Sequence, residues 1–361
     1  MLFGIALTHN YIIVLKGWFK VKFVKDIIIA LIALTLLSSW GFYAHFRVNR
    51  VAVFTLPRAM SGFYQANIEY LTEHAISADR RRYVDSAEIP RHFFDADHYG
   101  KDPFHTVPQK WNDAIAKYSA DTLYKYGTLP WTIQYNYYRL VDAFKNHDTS
   151  AIKHYSAYLG HYVADACVPL HTTMNHDGQL THQDGLHALW ESRLPEQFGN
   201  SYNYNAGKAK YLENPLWQAF ILCRSSFKCT DSVLRIQQQV DKTFPADKKY
   251  EVIMRGKRKI KDFSAAYCRA YHTALKGMVQ RRLRTAILNV GSYWYSAWVD
   301  AGQPDLNQIT EPLPDSLKQK TAHEAALYKL GKIAALPNYG TVNKPLPKQQ
   351  TQLRSTGKPT P

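Results

Sequence analysis

From Trp40 onward, apolar residues recur at intervals of three and four. The spacing holds in "VNRVAVF", "MSGFYQANIEYLTEHA", "WTIQYNYYRLVDAFKNH" and "TSAIKHYSAYLGHYVADACV". It predicts amphipathic helices, because such spacing keeps one face of a 3.6-residue turn apolar. A further helical pattern runs from Asp262 to Trp298, with breaks expected near Gly277 and Gly291. Alternating, strand-like stretches are scarce. Prolines at 57, 90, 103, 108, 130, 169, 195 and 215 punctuate the helices, and Asp148-Thr149-Ser150 forms a plausible N-cap cluster. No internal repeat and no Gly/Ser linker precedes residue 310. The expected architecture is all-α, one multi-helix domain over 40–308. A helical extension over 309–335 follows, with a helix near Asp315–Ala335, and the Pro/Lys-rich 336–361 is expected to be disordered.

The N-terminus departs from this pattern. Lys16, Lys20, Lys22, Lys25 and Asp26 precede an eleven-residue apolar run, Ile27 to Leu37, and then Ser38 and Ser39. A basic segment, a short apolar segment and small residues make a signal peptide over 1–39, cut between Ser39 and Trp40. The run is short for a membrane span, although an uncleaved anchor is the alternative. Export to a periplasmic or extracellular space would let the four cysteines pair. Cys223 and Cys229 are close enough in sequence to close a small loop. Cys167 and Cys268 are either a second pair or free thiols, and spacing does not choose.

Composition adds two points. Hydrophobic residues make up 46% of the 361-residue chain and aromatics 14%, which excludes a disordered chain. The formal charge is +16, with basic runs at Arg80–Arg82, Arg255–Lys261 and Gln280–Arg284. Such a balance suits polyanions or an anionic lipid surface, though charge runs are commonly just solvated faces.

Candidate chemistry lies in the spacing of His, Asp and Glu. "GHYVADACVPLH" holds His161 and Asp165 four apart on a predicted helix, then His171 just beyond Pro169. "GLHALWES" repeats the interval with His187 and Glu191. "PRHFFDADHYG" supplies His92, Asp95 and Asp97, and "AISADRRRY" supplies Asp79 with Arg82 three residues on. Residues four apart share a helix face, and one such pair is commonplace as a surface contact. Two pairs with a third histidine and upstream carboxylates form a donor set suited to zinc. His74, His98, His176 and His182 fall outside it.

The ordered set "WGFYAH", "HFFDAD", H-x3-D-x5-H and H-x3-E, spanning Trp40 to Glu191, resembles the zinc-dependent phospholipase C and single-strand-specific nuclease superfamily. The resemblance implies an all-helical fold with three zinc ions in a cleft. One ion would be held by Asp79, His92, His161 and Asp165, and a second by His171, His187 and Glu191. The third would take the backbone amine and carbonyl of Trp40, exposed by cleavage, together with His45, and Asp165 would bridge it to the first. Asp79, Asp165 and Arg82 are then the expected catalytic residues, Arg82 resembling a phosphate-facing arginine of the nuclease branch. The implied activity is metal-assisted hydrolysis of a phosphodiester, either phospholipid or single-stranded nucleic acid. The Trp-to-His spacing, D-x2-R and the basic body lean toward nuclease. His45-x3-Asn49-Arg50 and glutamate at 191 lean toward phospholipase. A transient membrane-surface contact fits the charge, and no stable protein partner is expected. The alternative from another class is a catalytically idle, zinc-stabilised helical domain that binds an anionic polymer or surface.

Overall fold

The computed structural model describes residues 42–255 and 258–332. The expected signal peptide, Trp40 and the 336–361 tail lie outside these residues. Six helices form the frame: α1 (Phe42–Ala52), α2 (Leu129–Lys145), α3 (Thr149–Asp165), α4 (Pro215–Thr243), α5 (Met278–Asp300) and α6 (Asp315–Lys329). Short α, 3-10 and π turns fill the stretches between them. The only sheet among the described residues is an antiparallel hairpin, β1 (Tyr250–Arg255) with β2 (Arg258–Phe263).

Local chemistry explains most of the boundaries. Asp148 caps α3 by accepting the Ala151 N–H at 2.9 Å, and Asn214 caps α4 through Trp217 N–H at 2.9 Å. Gly277, at φ 76°, turns the chain between Ala265–Ala274 and α5, a conformation that favours glycine. The expected break at Gly291 is absent, and α5 runs through it. A Cβ there would lie 1.9 Å from Thr55 Oγ1, so this glycine marks close packing instead. Residues 262–263 belong to β2 rather than to a helix.

The apolar faces of α1, α2, α3 and α5 meet around buried Trp131, Tyr137, Tyr162, Tyr293 and Trp294. Polar ties fix the register of the packing. Arg50 Nη2 and Nε reach Glu324 at 2.7 and 2.8 Å, a two-pronged buried ion pair that docks α6 on α1. Asn49 Nδ2 donates to Leu71 O at 3.3 Å and Ala157 O at 3.1 Å, locking α1 against α3. Asn49 and Arg50 are thus committed to packing.

A Cys223–Cys229 disulfide, which sequence spacing left open, is excluded. Both lie on the continuous helix α4, six residues apart, so their backbones are about 9 Å apart along the axis. That exceeds disulfide reach, and all four cysteines are free.

Gly160 sets how closely α1 and α3 approach, since a Cβ there would lie 2.2 Å from Asn49 Oδ1. Alanine would gain about 1 kcal/mol of helix propensity but overpack a contact worth more. Gly160→Ala is therefore expected to lower stability by about 1–2 kcal/mol in urea unfolding. A gain in stability would show that the contact relaxes freely.

Candidate metal centre

Each donor is delivered by a different local device. His45 lies on α1, and Asp79 lies on the short helix Ser77–Arg81. His92 ends the 3-10 stretch Ser86–His92, while His161 and Asp165 occupy the last turns of α3. His171 sits on the 3-10 turn Pro169–Thr172. His187 and Glu191 lie on Leu186–Ala188 and the following π turn, Leu189–Arg193. A π turn widens the helix locally and is common at functional positions.

The segment between Asp165 and His171 is held from two sides. Ser226 Oγ donates to Ala166 O at 2.6 Å and Thr230 Oγ1 to Pro169 O at 3.3 Å, both from α4. From α5, Arg282 Nε donates to Cys167 O at 2.8 Å. Asp97 then accepts from Thr173 Oγ1 at 2.6 Å and Met174 N–H at 3.0 Å. Asp177 accepts the Gly185 N–H at 3.0 Å and the His187 N–H at 3.1 Å, fixing the start of the turn that presents His187.

The structure brings together every side-chain ligand that the resemblance implies, while Asp95 and Asp97 stay outside the donor triads. Asp165 Oδ2 lies 3.0 Å from His92 Nδ1 and 3.3 Å from His161 Nε2, and those two nitrogens are 3.0 Å apart. Its other oxygen, Oδ1, lies 3.4 Å from His45 Nε2. Glu191 is arranged in the same way. Its Oε2 lies 2.6 Å from His187 Nε2 and 3.2 Å from His171 Nε2, while Oε1 lies 3.3 Å from His45 Nε2. Asp79 Oδ1 is 3.8 Å from both His92 Nδ1 and His161 Nε2. Four triads have ligand atoms mutually within 4.8 Å: His45/Asp79/His161, His92/His161/Asp165, His171/His187/Glu191 and His45/Asp165/Glu191. The last couples His45 to Glu191, a contact the spacing did not suggest.

The outward ring nitrogens supply an independent test of fit to a metal. His161 Nδ1 lies 2.7 Å from Ala75 O, His171 Nδ1 2.5 Å from His92 O and His187 Nδ1 3.1 Å from His176 O. A carbonyl only accepts, so each Nδ1 carries a proton and Nε2 is the nitrogen turned to the carboxylates, where a metal that displaced any proton there would find the lone pair. His92 is reversed: its Nε2 faces Glu88 Oε1 at 3.5 Å, and Nδ1 points inward. Glu88 is itself fully buried, and Tyr162 donates its hydroxyl to it. Imidazoles held from behind by carbonyl or carboxylate are how metal-binding histidines are oriented. The buried Asp165 Oδ1 also has no hydrogen-bond donor among the described residues. The donor set fits zinc.

Electrostatics point the same way. Burial opposes ionisation of Asp165 and Glu191, yet the pull of nearby histidines holds both carboxylates well below their usual range. Burial likewise works against charge on His161 and His171, but the carboxylates push both up to about 9. Arg82 Nη2 reaches Asp79 Oδ1 at 2.7 Å. Burial lowers the tendency of Arg82 to hold its proton, but Asp79, Asp165 and Glu191 together raise it. Arg82 is therefore a partly exposed cation facing the cluster, rather than a solvated member of a basic run.

Several residues escaped the spacing analysis. Glu88 precedes His92 by four positions, so its E-x3-H interval was a usable signal. Asp177 acts through backbone amides and leaves no such mark. Asp95 is half-buried, its carboxyl pushed up to about 7 by burial and by Asp97, against the pull of His171. Of the histidines outside the set, His74 stacks on Tyr70 and His98 on Tyr126, with ring centroids 3.8 and 3.3 Å apart. The Trp40 backbone ligand lies outside the described residues. Comparison with protein-family models and with curated proteins finds no match for this chain.

Two expected outcomes follow from this geometry. Glu88→Gln should weaken zinc binding about 10–100-fold, by removing the carboxylate behind His92, as read by competition with a chelating dye. Unchanged affinity would mean that the 3.5 Å contact does not orient the ring. His161 and His171 hold protons at pH 7 when no metal is present, and a metal must displace them. Zinc uptake at pH 7 should release about two protons, measured by calorimetry in buffers of different ionisation enthalpy. Affinity should fall as pH is lowered from 9, and a pH-independent affinity would contradict the assigned donors.

Proposed function

We propose that this chain is a zinc-dependent hydrolase of phosphate diesters, of the kind its motif order resembles. The observation that carries this reading is the two-sided use of Asp165 and Glu191. Each presents one oxygen to a pair of imidazoles and the other to His45 Nε2, an arrangement suited to neighbouring ions that share carboxylates. Bound zinc would supply an activated water at neutral pH and stabilise charge on the phosphoryl oxygens.

The chain's own residues do the rest. His92, His161 and Asp165 form the deep end of the site, all essentially excluded from solvent. His187 and Arg82 are only half-buried, so substrate would enter on their side. Arg82, held by Asp79, offers N–H donors to a phosphate oxygen, while Asp79 remains an acceptor that could orient a proton-bearing water. An apolar pocket lined by Ala44, Val48, Trp190, Val279 and Leu283 adjoins His45 and Glu191, and strengthens the electrostatics beside them. The reading covers phospholipids and single-stranded nucleic acids alike.

The test combines zinc content with hydrolysis of bis(p-nitrophenyl) phosphate. Asp165→Asn is expected to lose most of the zinc and nearly all activity, since one carboxylate serves two subsets of donors. His171→Ala should lose about one of the three ions that the resemblance implies, because His171 belongs to only one of the donor triads, and retain the others. Full activity in either variant, or zinc binding without hydrolysis by the unaltered chain, would overturn the proposal. The second result would favour a zinc-stabilised binding domain.

A further inference from the structure

The β1–β2 hairpin stands apart from the helical frame in both chemistry and exposure. Directly paired residues of an antiparallel ladder project to the same face. The pairs Tyr250↔Phe263, Val252↔Lys261 and Met254↔Lys259 therefore set an apolar row on β1 beside a lysine row on β2. Val252 is 69% exposed and Met254 60%, in a chain that buries most of its large apolar residues. Lys259 and Lys261 are exposed as well, and neither makes an ion pair among the described residues. Lys261 Nζ lies 4.5 Å from the Tyr250 ring centre, which holds the cation against the apolar row.

The opposite face is tied to the helical body near its root. Asp262 is buried and its Oδ2 meets Arg193 Nε at 3.0 Å, and Glu251 Oε1 accepts the Ala265 N–H at 3.0 Å. At the base, Phe263 packs beside Tyr250 and Tyr267, with ring centroids 5.0 and 5.4 Å apart. The hairpin is thus a rigidly rooted projection, reaching about 20 Å at ~3.4 Å per residue. Its root is Arg193, two residues from Glu191 in the candidate metal centre.

We propose that this hairpin docks the protein on an anionic lipid surface, with Val252 and Met254 entering the headgroup–acyl boundary and Lys259 and Lys261 meeting lipid phosphates. Charge complementarity and the aliphatic row select this occupant together. A polyanion alone would satisfy the lysines but leave valine and methionine in water, and a single-stranded nucleic acid would call for stacking aromatics in their place. An interfacial bilayer takes both rows at once, as basic amphipathic elements do. The docking rests on the hairpin alone and does not require zinc, so its failure is distinguishable from failure of the proposed activity.

The test uses the full chain with Val252→Cys carrying an environment-sensitive nitrobenzoxadiazole label. Unsubstituted protein treated identically reports any labelling of the half-buried Cys229. A local probe is needed because the apolar run at residues 27–37 could itself bind vesicles. Phosphatidylglycerol-containing vesicles should raise and blue-shift the emission, with or without EDTA. Pure phosphatidylcholine vesicles should act only at much higher lipid. Each basic side chain near an anionic surface is worth about fivefold in binding, so Lys259→Gln with Lys261→Gln should weaken the response about 25-fold. Val252 labels that stay water-exposed on anionic vesicles overturn the inference. So do lysine variants that bind equally well, or a response to oligothymidylate but not to vesicles.

Discussion

Burial of negative charge is the constraint on which the rest of the structure depends. Asp165 and Glu191 are enclosed where an uncompensated carboxylate would cost several kcal/mol. The compensation must be positive and must sit within hydrogen-bond range of both oxygens of each group. Five histidines of the cluster, His45, His92, His161, His171 and His187, surround these oxygens. An imidazole compensates a carboxylate fully only when it holds an extra proton, while Arg82 adds its charge from beyond Asp79. Those protons explain why His161 and His171 are basic while the carboxylates remain ionised. A divalent ion satisfies the same demand without relying on pH, and the fixed outward nitrogens leave the inward lone pairs free for it.

That demand accounts for features of the frame that core packing alone does not require. Helices α1 and α3 must approach closely enough for His45 and His161 to stack with ring centroids 4.1 Å apart. Gly160 and Asn49 make the approach possible. The turn after α3 must be rigid, or Asp165 and His171 would not point into one volume. Hydrogen bonds from Ser226, Thr230 and Arg282 supply that rigidity through backbone carbonyls, which no substitution on the turn itself could remove. Buried Arg50 and Glu324 then bind α6 to the helix that carries His45. The C-terminal helix is accordingly part of the folded body rather than an appendage to it.

Much of the site was legible because its donors follow helical arithmetic. His161/Asp165 and His187/Glu191 share faces by their interval of four, and Pro169 marks the turn that frees His171. The helical fold class was readable from the same periodicity. Glu88 carried a readable interval of four before His92, whereas Asp177 acts through the backbone amides of Gly185 and His187 and leaves no mark in residue spacing. The His45–Glu191 contact is of the same kind, for the residues are far apart in sequence. Spacing left a Cys223–Cys229 loop open, and helix α4 excludes it by continuing through both positions. The hairpin was overlooked because its basic residues drew attention to charge, although Tyr250, Val252 and Met254 alternate with period two.

The hairpin also bears on how the centre is held. Arg193 follows Glu191 on the π turn, and its guanidinium is drawn toward Asp262 at the root of β2. Phe263, next along β2, lies where a Cβ on Gly185 would come within 3.3 Å, just before His187. One structural unit therefore abuts both ends of the segment that presents His187 and Glu191. A displacement of the hairpin root would be felt first by these two donors, buried Glu191 and the more accessible His187. The buried trio of His92, His161 and Asp165 is held instead by α3, Glu88 and the Ala75 carbonyl. The centre thus divides mechanically into a deep part set by helix packing and an outer part set by the hairpin and the Asp177 turn.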